Sequence, residues 1–556
     1  MYPSFVRVVL FLSSVAVLSA ADRSVRDFGA KGDGQTLDTA AINQAIETVA
    51  NEGGGTVLLP PGEYLSYSIR LRSNITLRID AGATLIAAEP PPAGQPGGYD
   101  YPEPNEWEHY QDFGHTHFKN SLIWGEGLEN VAIVGQGRIY GRGLSRGNGR
   151  VALPVGVMLP VDPKGPLPIV LDADGPFEVE PRPDLKTGPF KYPNARDRLP
   201  DGVGNKAIAL ANCHNVTLRD FSILHGGHFA ILATGVDNLT IDNLLIDTNR
   251  DGIDIDACSN VRLTNTSVNA PWDDGICIKS SYALGYRRVT ENVTISNCLV
   301  SGYDEGTLLD GTRQKKMIKR GGAQGRIKLG TESNGGYRNI AITNCVFDYS
   351  RGIALEQVDG GVMEDIVISN ITMRDVHNAP IFIRLGGRLR SPDDQKGTTQ
   401  RISISNITAY NVAPEHGILI SGLIGQPIKD VSISNVQLYY RGGGTEEQAK
   451  RVVPEYVKAY PDPYNFGTIP SWGMFARHVE NLAVRNVDFH LMAPDARPAI
   501  ILDDAVGVRL AGIKLPTLEA AQWRLNAVTN LKVFDCDGLA DTAPTLPIGH
   551  AVGSSH

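Results

Sequence analysis

Three aspartates stand at a spacing that could do acid/base chemistry. The chain repeats a short apolar strand closed by asparagine. Asp251 lies eight residues after one closing asparagine, Asn243, and Asp273 lies eight after the next, Asn265, with Asp274 beside it. If each repeat is one coil of a stacked solenoid, the carboxylates share one site on strands about 4.8 Å apart. The two strands read Asp251-Gly252-Ile253-Asp254-Ile255-Asp256 and Asp274-Gly275-Ile276-Cys277-Ile278-Lys279. With the isoleucines inward, the residues between them face outward. Carboxylates this close disfavour joint ionisation, so at least one pKa is expected to rise. A protonated acid beside an ionised base is what cleavage of a glycosidic bond needs. Spacing alone leaves two other readings open, an acidic solvated face and a Ca²⁺ site.

The elements that must position these residues are legible as repeats. NLTIDN, NVRLTN, NVTISN, NIAITN, DIVISN, RISISN, DVSISN and NLAVRN close on Asn243, Asn265, Asn297, Asn344, Asn370, Asn406, Asn435 and Asn486. The shortest interval, 22 residues, is one coil, and the longer ones are coils with inserted loops. Val and Ile alternating with Thr, Ser and Arg is the period of half-buried strands. Asparagine tolerates the left-handed corner between strands and can hydrogen-bond to the coil above. The pattern predicts an all-β, right-handed parallel β-helix with one short N-terminal capping helix and long loops walling a groove. A propeller would show regular periods with blade signatures, and a βα solenoid would show helical spacing between strands. The helix is expected at Thr39–Asn51, the one stretch with apolar residues at helical spacing. Long irregular segments rich in Pro, Gly and aromatics cover roughly 89–120, 141–204 and 440–475.

Composition excludes several classes. Of 556 residues, 42% are hydrophobic and 20% charged, with 60 Gly and 34 Pro, which suits a folded chain and not a disordered one. A net charge of −9 argues against a general nucleic-acid binder. Six cysteines without a CxxC pair exclude a disulfide scaffold and a Cys-based zinc module. Cys213 and Cys258, two coils apart, are too distant to bridge, whereas a bridge between Cys298 and Cys345 is left open. Arg7, the apolar run Val8 to Leu18, and Ser19-Ala20-Ala21 read as a secretory signal peptide. The run is too short to span a bilayer, so a secreted or periplasmic protein is expected. The expected organisation is a signal peptide at 1–21, a cap and first coils at 22–90, coils with long insertions at 91–204, the catalytic β-helix at 205–535 and a tail at 536–556. Sequons at Asn74, Asn215, Asn238, Asn265, Asn292, Asn370 and Asn406 mostly fall on strand or corner positions, which the ladder explains better than glycosylation.

Asn249-Arg250-Asp251-Gly252-Ile253-Asp254, followed by Asp273-Asp274-Gly275-Ile276-Cys277-Ile278-Lys279-Ser280, resembles the NTDGID and DDxIxIKS segments of glycoside hydrolase family 28, the polygalacturonases and rhamnogalacturonases. The likeness continues through LGTESNGGYRNIAITNCVFDYSRGI and VMEDIVISNITM. The opening VRDFGAKGDGQTLDTAAINQAI and GGGTVLLPPGEYL resemble that family and pectate-lyase-like β-helices. The resemblance covers roughly residues 24–90 and 205–440. It implies single-displacement, inverting hydrolysis of a galacturonosyl bond in pectic polysaccharides or their oligosaccharides. Carried over by position, Asp273 would be the general acid, and Asp251 and Asp274 would share the general-base work on a water. No cofactor or metal is implied, and the implied partner is a pectic substrate.

Two family elements are missing. There is no Gly-His-Gly in the coil after the DD segment, where Gly325-Arg326-Ile327-Lys328 stands instead. The family's Arg-Ile-Lys, which grips a substrate carboxylate, is replaced at Arg351-Gly352-Ile353-Ala354-Leu355-Glu356 by Ala354 and Glu356. The basic residues Lys279, Arg326, Lys328 and Arg384 fall on groove coils and are expected to take over substrate binding. Glu356 is expected to stack in the row of Asp256 and Lys279, where it would repel a uronate carboxylate and make plain polygalacturonate a poor substrate. Either a rhamnogalacturonan or an exo-galacturonidase type follows. His228, in the coil before Asp251, and Tyr303 join the binding candidates, with His225, Trp107, Tyr110, His115, His117, Asp304, Glu305, Tyr460, Tyr464 and Trp472 from the neighbouring coil and the loops. Two other functions stay in view. One is a Ca²⁺-dependent polysaccharide lyase on the same scaffold, and the other is a non-catalytic carbohydrate-binding solenoid.

Overall fold

The computed structural model describes residues 21–92, 95–111, 113–145, 159–160, 199, 201–317, 323–518 and 522–542. The expected signal peptide, most of the 141–204 segment and the end of the C-terminal tail lie outside the described residues. Thirty-five strands wrap into one continuous sheet whose strand pairings are parallel. One coil comprises Phe229–Thr234, Asp237–Asp242 and Leu245–Asp247, and the next comprises Asp251–Asp256, Ser259–Thr264 and Ser267–Asn269. They stack in register, Ile231 on Ile253, Leu239 on Val261 and Ile246 on Val268. Each pair is separated by the 22 residues of the shortest repeat. Inward side chains of every coil form one continuous buried core along the solenoid. The fold is thus a parallel β-helix.

The corners obey the asparagine rule. All eight closing asparagines hold φ between 51° and 57°. Their amides donate to the coil below, as Asn370 to Asn344 at 3.1 Å, Asn406 to Asn370 at 3.0 Å and Asn435 to Asn406 at 3.1 Å. A second ladder runs through Asn74, Asn130, Asn215 and Asn238. The sequon asparagines are therefore ladder members. All six cysteines are free and buried, so Cys298 and Cys345 are neighbouring thiols and not a bridge.

The helix spans Thr39–Asn51, as its periodicity predicts, and buries Ile42, Ala45, Ile46 and Val49 over the first coil. Asp38 precedes it, but its carboxylate accepts from the Lys31 and Gly32 backbone amides instead of capping the helix. The expectation of a single helix needs one correction. Glu446–Ala449 forms a one-turn helix inside the 440–475 insertion, with a Thr445/Gln448 capping box. No described helix is long and apolar enough to cross a membrane.

Two insertions fold back onto the outer face that carries the aspartates. On the N-terminal side, Phe118 packs on Ala209, Ala211, Phe229 and Leu232, with Trp124 beside it. On the C-terminal side, Phe466 and Ile469 pack on Ala354, Phe382, Leu419, Phe475 and Ile501. Of these, Ala209, Leu232, Ala354, Phe382, Leu419, Phe475 and Ile501 occupy the row of Asp254, Cys277 and Lys328, whereas Phe229 pairs with Asp251. Both clusters cover the outer face, one on each side of the coils that run from Asp251 to Lys328.

Candidate active site

The three aspartates meet. A carboxylate oxygen from each of Asp251, Asp273 and Asp274 lies within 4.8 Å of the other two. The Gly252 amide donates to the Asp274 carbonyl at 3.0 Å, so the coil stacking sets this approach. Asp251 is 3% and Asp274 0% exposed, whereas the Asp273 side chain is 21% exposed and is the one that can meet a substrate.

Their surroundings differ. Burial pushes the Asp251 carboxyl well above the usual carboxylate range, and the charges of Asp273 and Asp254 add to the rise. Asp274 goes the other way. Burial would raise it, but Lys328 and Arg326 outweigh burial and hold it ionised. Arg326 Nε donates to Asp274 at 2.8 Å, and Lys328 Nζ forms an ion pair with the other oxygen. Arg250 donates to Asp273 at 2.7 Å. Three carboxylates thus face three cations, and a proton is held on the Asp251 side of the group.

Beyond them lies a second charged cluster. Lys279 Nζ is 3.5 Å from Asp254 and 3.3 Å from Glu332. His115 Nε2 is 3.7 Å from Asp254 and 3.8 Å from Glu332. Burial raises Asp254 to about 7, with Lys279 opposing. Burial would raise Glu332, but Lys279, with Arg388 and Arg390, outweighs it and holds this carboxyl well below the ordinary range.

The structure relocates several expected binding residues. Arg326 and Lys328 are buried on Asp274, where they set its charge. The row of Asp256, Lys279 and Glu356 is broken. Ile278 pairs with Leu329 but Ser280 pairs with Ser333, so two extra residues bulge out and bring Glu332 to Lys279. Glu356 instead lies 3.5 Å from Arg326 and is fully buried, with neither oxygen hydrogen-bonded. Burial raises it to about 7, opposed by Lys328 and Arg326. It cannot repel a uronate in the way the sequence suggests. Arg384 is buried and spent on Ser421 and on the Glu455 and Tyr456 carbonyls, which pins the C-terminal insertion. Tyr303 is buried and donates to Asp348, outside the groove. His225 pairs with Glu305 at 2.6 Å, and Trp472 is a core residue against Tyr440 and Phe489. His228 is buried against His115 and Phe229.

Trp107 stacks on Tyr110 and meets Tyr282 edge-on, which builds one wall of the groove. Tyr460 is 44% exposed as a residue. Its phenol is raised by desolvation in the groove, with Lys328 opposing and Glu356, Asp274 and Asp273 adding, so it stands near the reacting carboxylates. Glu332 and Arg250 were missed as site residues by sequence reasoning, although both lie in segments that carry the family likeness.

Glu356 provides a stability test. Its folded pKa of about 7 lies above the ordinary carboxylate value, so the buried group is tolerated when protonated and costs stability as pH rises toward 7. Glu356→Gln removes that cost. The difference in unfolding free energy between Glu356→Gln and wild type should therefore grow in favour of the variant from about pH 4.5 to pH 7.5, reaching roughly 3 kcal/mol, with Tm moving in the same sense. Thermal melts across that range check it, and a pH-independent difference refutes the buried-carboxyl account.

Comparison with known proteins bears on the fold and the class of enzyme. The family described as "Rhamnogalacturonase A/epimerase, pectate lyase-like" matches residues 22–90, and "Right handed beta helix region" matches residues 201–321. A probable polygalacturonase of Vitis vinifera is 23% identical over 480 residues, 82% of each chain. An exo-poly-alpha-D-galacturonosidase of Dickeya chrysanthemi is 33% identical over 129 residues, 22% of this chain and 20% of that one. Among solved structures, a hyperthermoactive exopolygalacturonase from Thermotoga maritima superposes with a TM-score of 0.59 at 18% identity, covering 85% of this chain and 92% of that one. The coils match the right-handed β-helix type, and with relatives of this kind over most of its length the chain is a glycoside hydrolase similar to the polygalacturonases.

Proposed function

We propose that the protein is an exported, exo-acting hydrolase that removes terminal galacturonosyl residues from pectic chains or their oligosaccharides with inversion. The observation that carries this reading is the pair of insertion clusters that cover the outer face on either side of the aspartates. Phe118 covers it on one side of the aspartates and Phe466 on the other, so a chain end can enter but a polymer cannot run through. The names of the Dickeya and Thermotoga relatives support the exo mode and the galacturonosyl bond.

The acid/base roles follow from exposure and charge. Asp273 is the most exposed carboxyl of the three and protonates the leaving oxygen. Asp274 is held as a carboxylate by Arg326 and Lys328 and orients the attacking water. The nearest oxygens of the set lie closer than the separation of about 6.5–9.5 Å usual for inversion. A direct attack by Asp274 would nevertheless need a buried carboxylate already occupied by two cations to reach an anomeric carbon. A water between the carboxylates serves better. NMR of the first-formed anomer tests this, with inversion expected and retention overturning the single-displacement mechanism.

The substrate test is product analysis on homogalacturonan and rhamnogalacturonan oligosaccharides of equal length. Release of one terminal sugar per event supports the proposal, and random internal fragments overturn it. The three aspartate oxygens are close enough to hold a metal ion. Arg250, Arg326 and Lys328 already offset their charge, which leaves little attraction for a divalent cation. Chelation with EDTA should therefore leave the rate within experimental error of the untreated enzyme. A chelator-sensitive rate with rising ultraviolet absorbance from unsaturated products would instead identify a lyase.

A further inference from the structure

Beside the reacting aspartates is a polar set that the acid/base chemistry does not use. His115 is 3% and His228 1% exposed, and none of their four ring nitrogens has a hydrogen-bond partner. Both oxygens of the fully buried Asp254 also lack one. The two rings stand at right angles, 81° apart, with centroids separated by 6.3 Å. The insertion that carries His115 is locked in place. A Cβ added to Gly114 would lie 2.8 Å from the Phe229 ring and 3.3 Å from the His228 ring, so only glycine allows this approach. Asn105 ties the same insertion to the Ala283 carbonyl at 3.0 Å.

Buried polar atoms without partners are costly, and native structures hold few of them. Six in one place, next to Asp251, point to a bound group that satisfies them. We propose that His115, His228 and Asp254 form a hydroxyl-binding subsite for the terminal sugar, one that rejects a carboxylate at the same place. This proposal rests on the exo-hydrolase reading.

The chemistry selects hydroxyls. Each neutral imidazole offers one N–H donor and one lone pair, and burial keeps both rings neutral, with Lys279 adding for His115 and Arg250 for His228. Neighbouring ring hydroxyls donate and accept in the same alternation. A carboxylate would meet Asp254 and Glu332, while the cations around it are engaged elsewhere, Lys279 between those two, Arg250 on Asp273 and Lys206 on the Asn205 side chain. The uronate carboxylate of the substrate must therefore point away from this subsite, toward the open side of the groove.

The experiment has two arms, each run on wild type, His115→Ala, His228→Ala and the polar control His115→Gln, with melts to confirm folding. In the kinetic arm, each alanine variant should raise KM for a galacturonosyl oligosaccharide by about tenfold or more, with a smaller change in kcat. His115→Gln, which keeps a donor and an acceptor, should recover most of the loss. In the binding arm, saturation-transfer NMR with galactose, rhamnose and galacturonic acid should show contact through ring protons beside hydroxyls in wild type, lost in both alanine variants. Unchanged KM together with unchanged saturation transfer overturns the subsite and means that ordered water alone fills the place. If wild type cleaves no pectic oligosaccharide, the exo reading fails and the binding arm decides the subsite by itself. If wild type cleaves but both alanine variants match it in both arms, the subsite fails and the exo reading stands.

Discussion

Asp273→Asn should lower turnover by about 10²- to 10⁴-fold, the usual loss for a positioned acid, and should leave the β-helix folded. The effect is large because no neighbour can replace it. Asp251 holds a proton but is 3% exposed, and Asp274 is ionised by Lys328 and Arg326. The fold should survive because the Asp273 side chain is 21% exposed and amide nitrogen and oxygen fit the same volume. Some stability is lost with the Arg250 contact at 2.7 Å, which is a partly exposed pair and so worth little. Single-turnover kinetics and circular dichroism check the pair of outcomes. Full activity in a folded variant removes Asp273 from the acid role.

Lys328→Met should produce the second large effect, on stability and rate together. Asp274 is completely buried, and its ionised form exists only because two cations face it. Removing one partner of a buried ion pair typically costs about 3–5 kcal/mol, because the remaining charge is left uncompensated. Tm should fall accordingly. The kinetic signature has a definite sign. In wild type the depressed pKa keeps Asp274 ionised throughout the working range, so the acid limb of kcat does not report this residue. In the variant burial prevails and the pKa rises, so Asp274 protonates at low pH and water activation is lost there. Turnover at pH 5 should fall by about tenfold or more and recover in part as pH is raised. Lys328→Arg, which keeps the charge, should retain the wild-type profile. An unchanged acid limb in Lys328→Met would show that Lys328 does not hold Asp274 in its ionised state.

The two outcomes separate the members of the group. Asp273→Asn removes a proton donor at all pH values, whereas Lys328→Met disables a base only where that base can be protonated. The Glu356→Gln melts add a third contrast, because that carboxyl shares Arg326 with Asp274 but destabilises the fold as it ionises.

What the sequence determined by itself is local and periodic. The 22-residue coil, the left-handed asparagine corners and the helix at Thr39–Asn51 follow from spacing and backbone preference, and each is found where the residues place it. The meeting of Asp251, Asp273 and Asp274 is of the same kind. Parallel stacking copies a position in one coil onto the next, so equal distances from two corner asparagines become a shared place in space. The tertiary structure decided everything that breaks this translation. A two-residue bulge between Leu329 and Ser333 swaps Glu332 for Glu356 at Lys279, and no periodicity records it because the flanking pairs, Ile278 on Leu329 and Ser280 on Ser333, match in kind. His115, Phe118, Tyr460 and Phe466 reach the groove from insertions more than a hundred residues away from the aspartates. Their placement depends on aromatic packing against outward residues that look, in sequence, like any solvent-facing position. Arg326, Lys328 and Arg384 were legible as cations on the groove coils, but whether a cation meets substrate, carboxylate or backbone depends on what covers it. For Arg326 and Lys328 that is Asp274, and for Arg384 it is the carbonyls of a loop some seventy residues further along the chain.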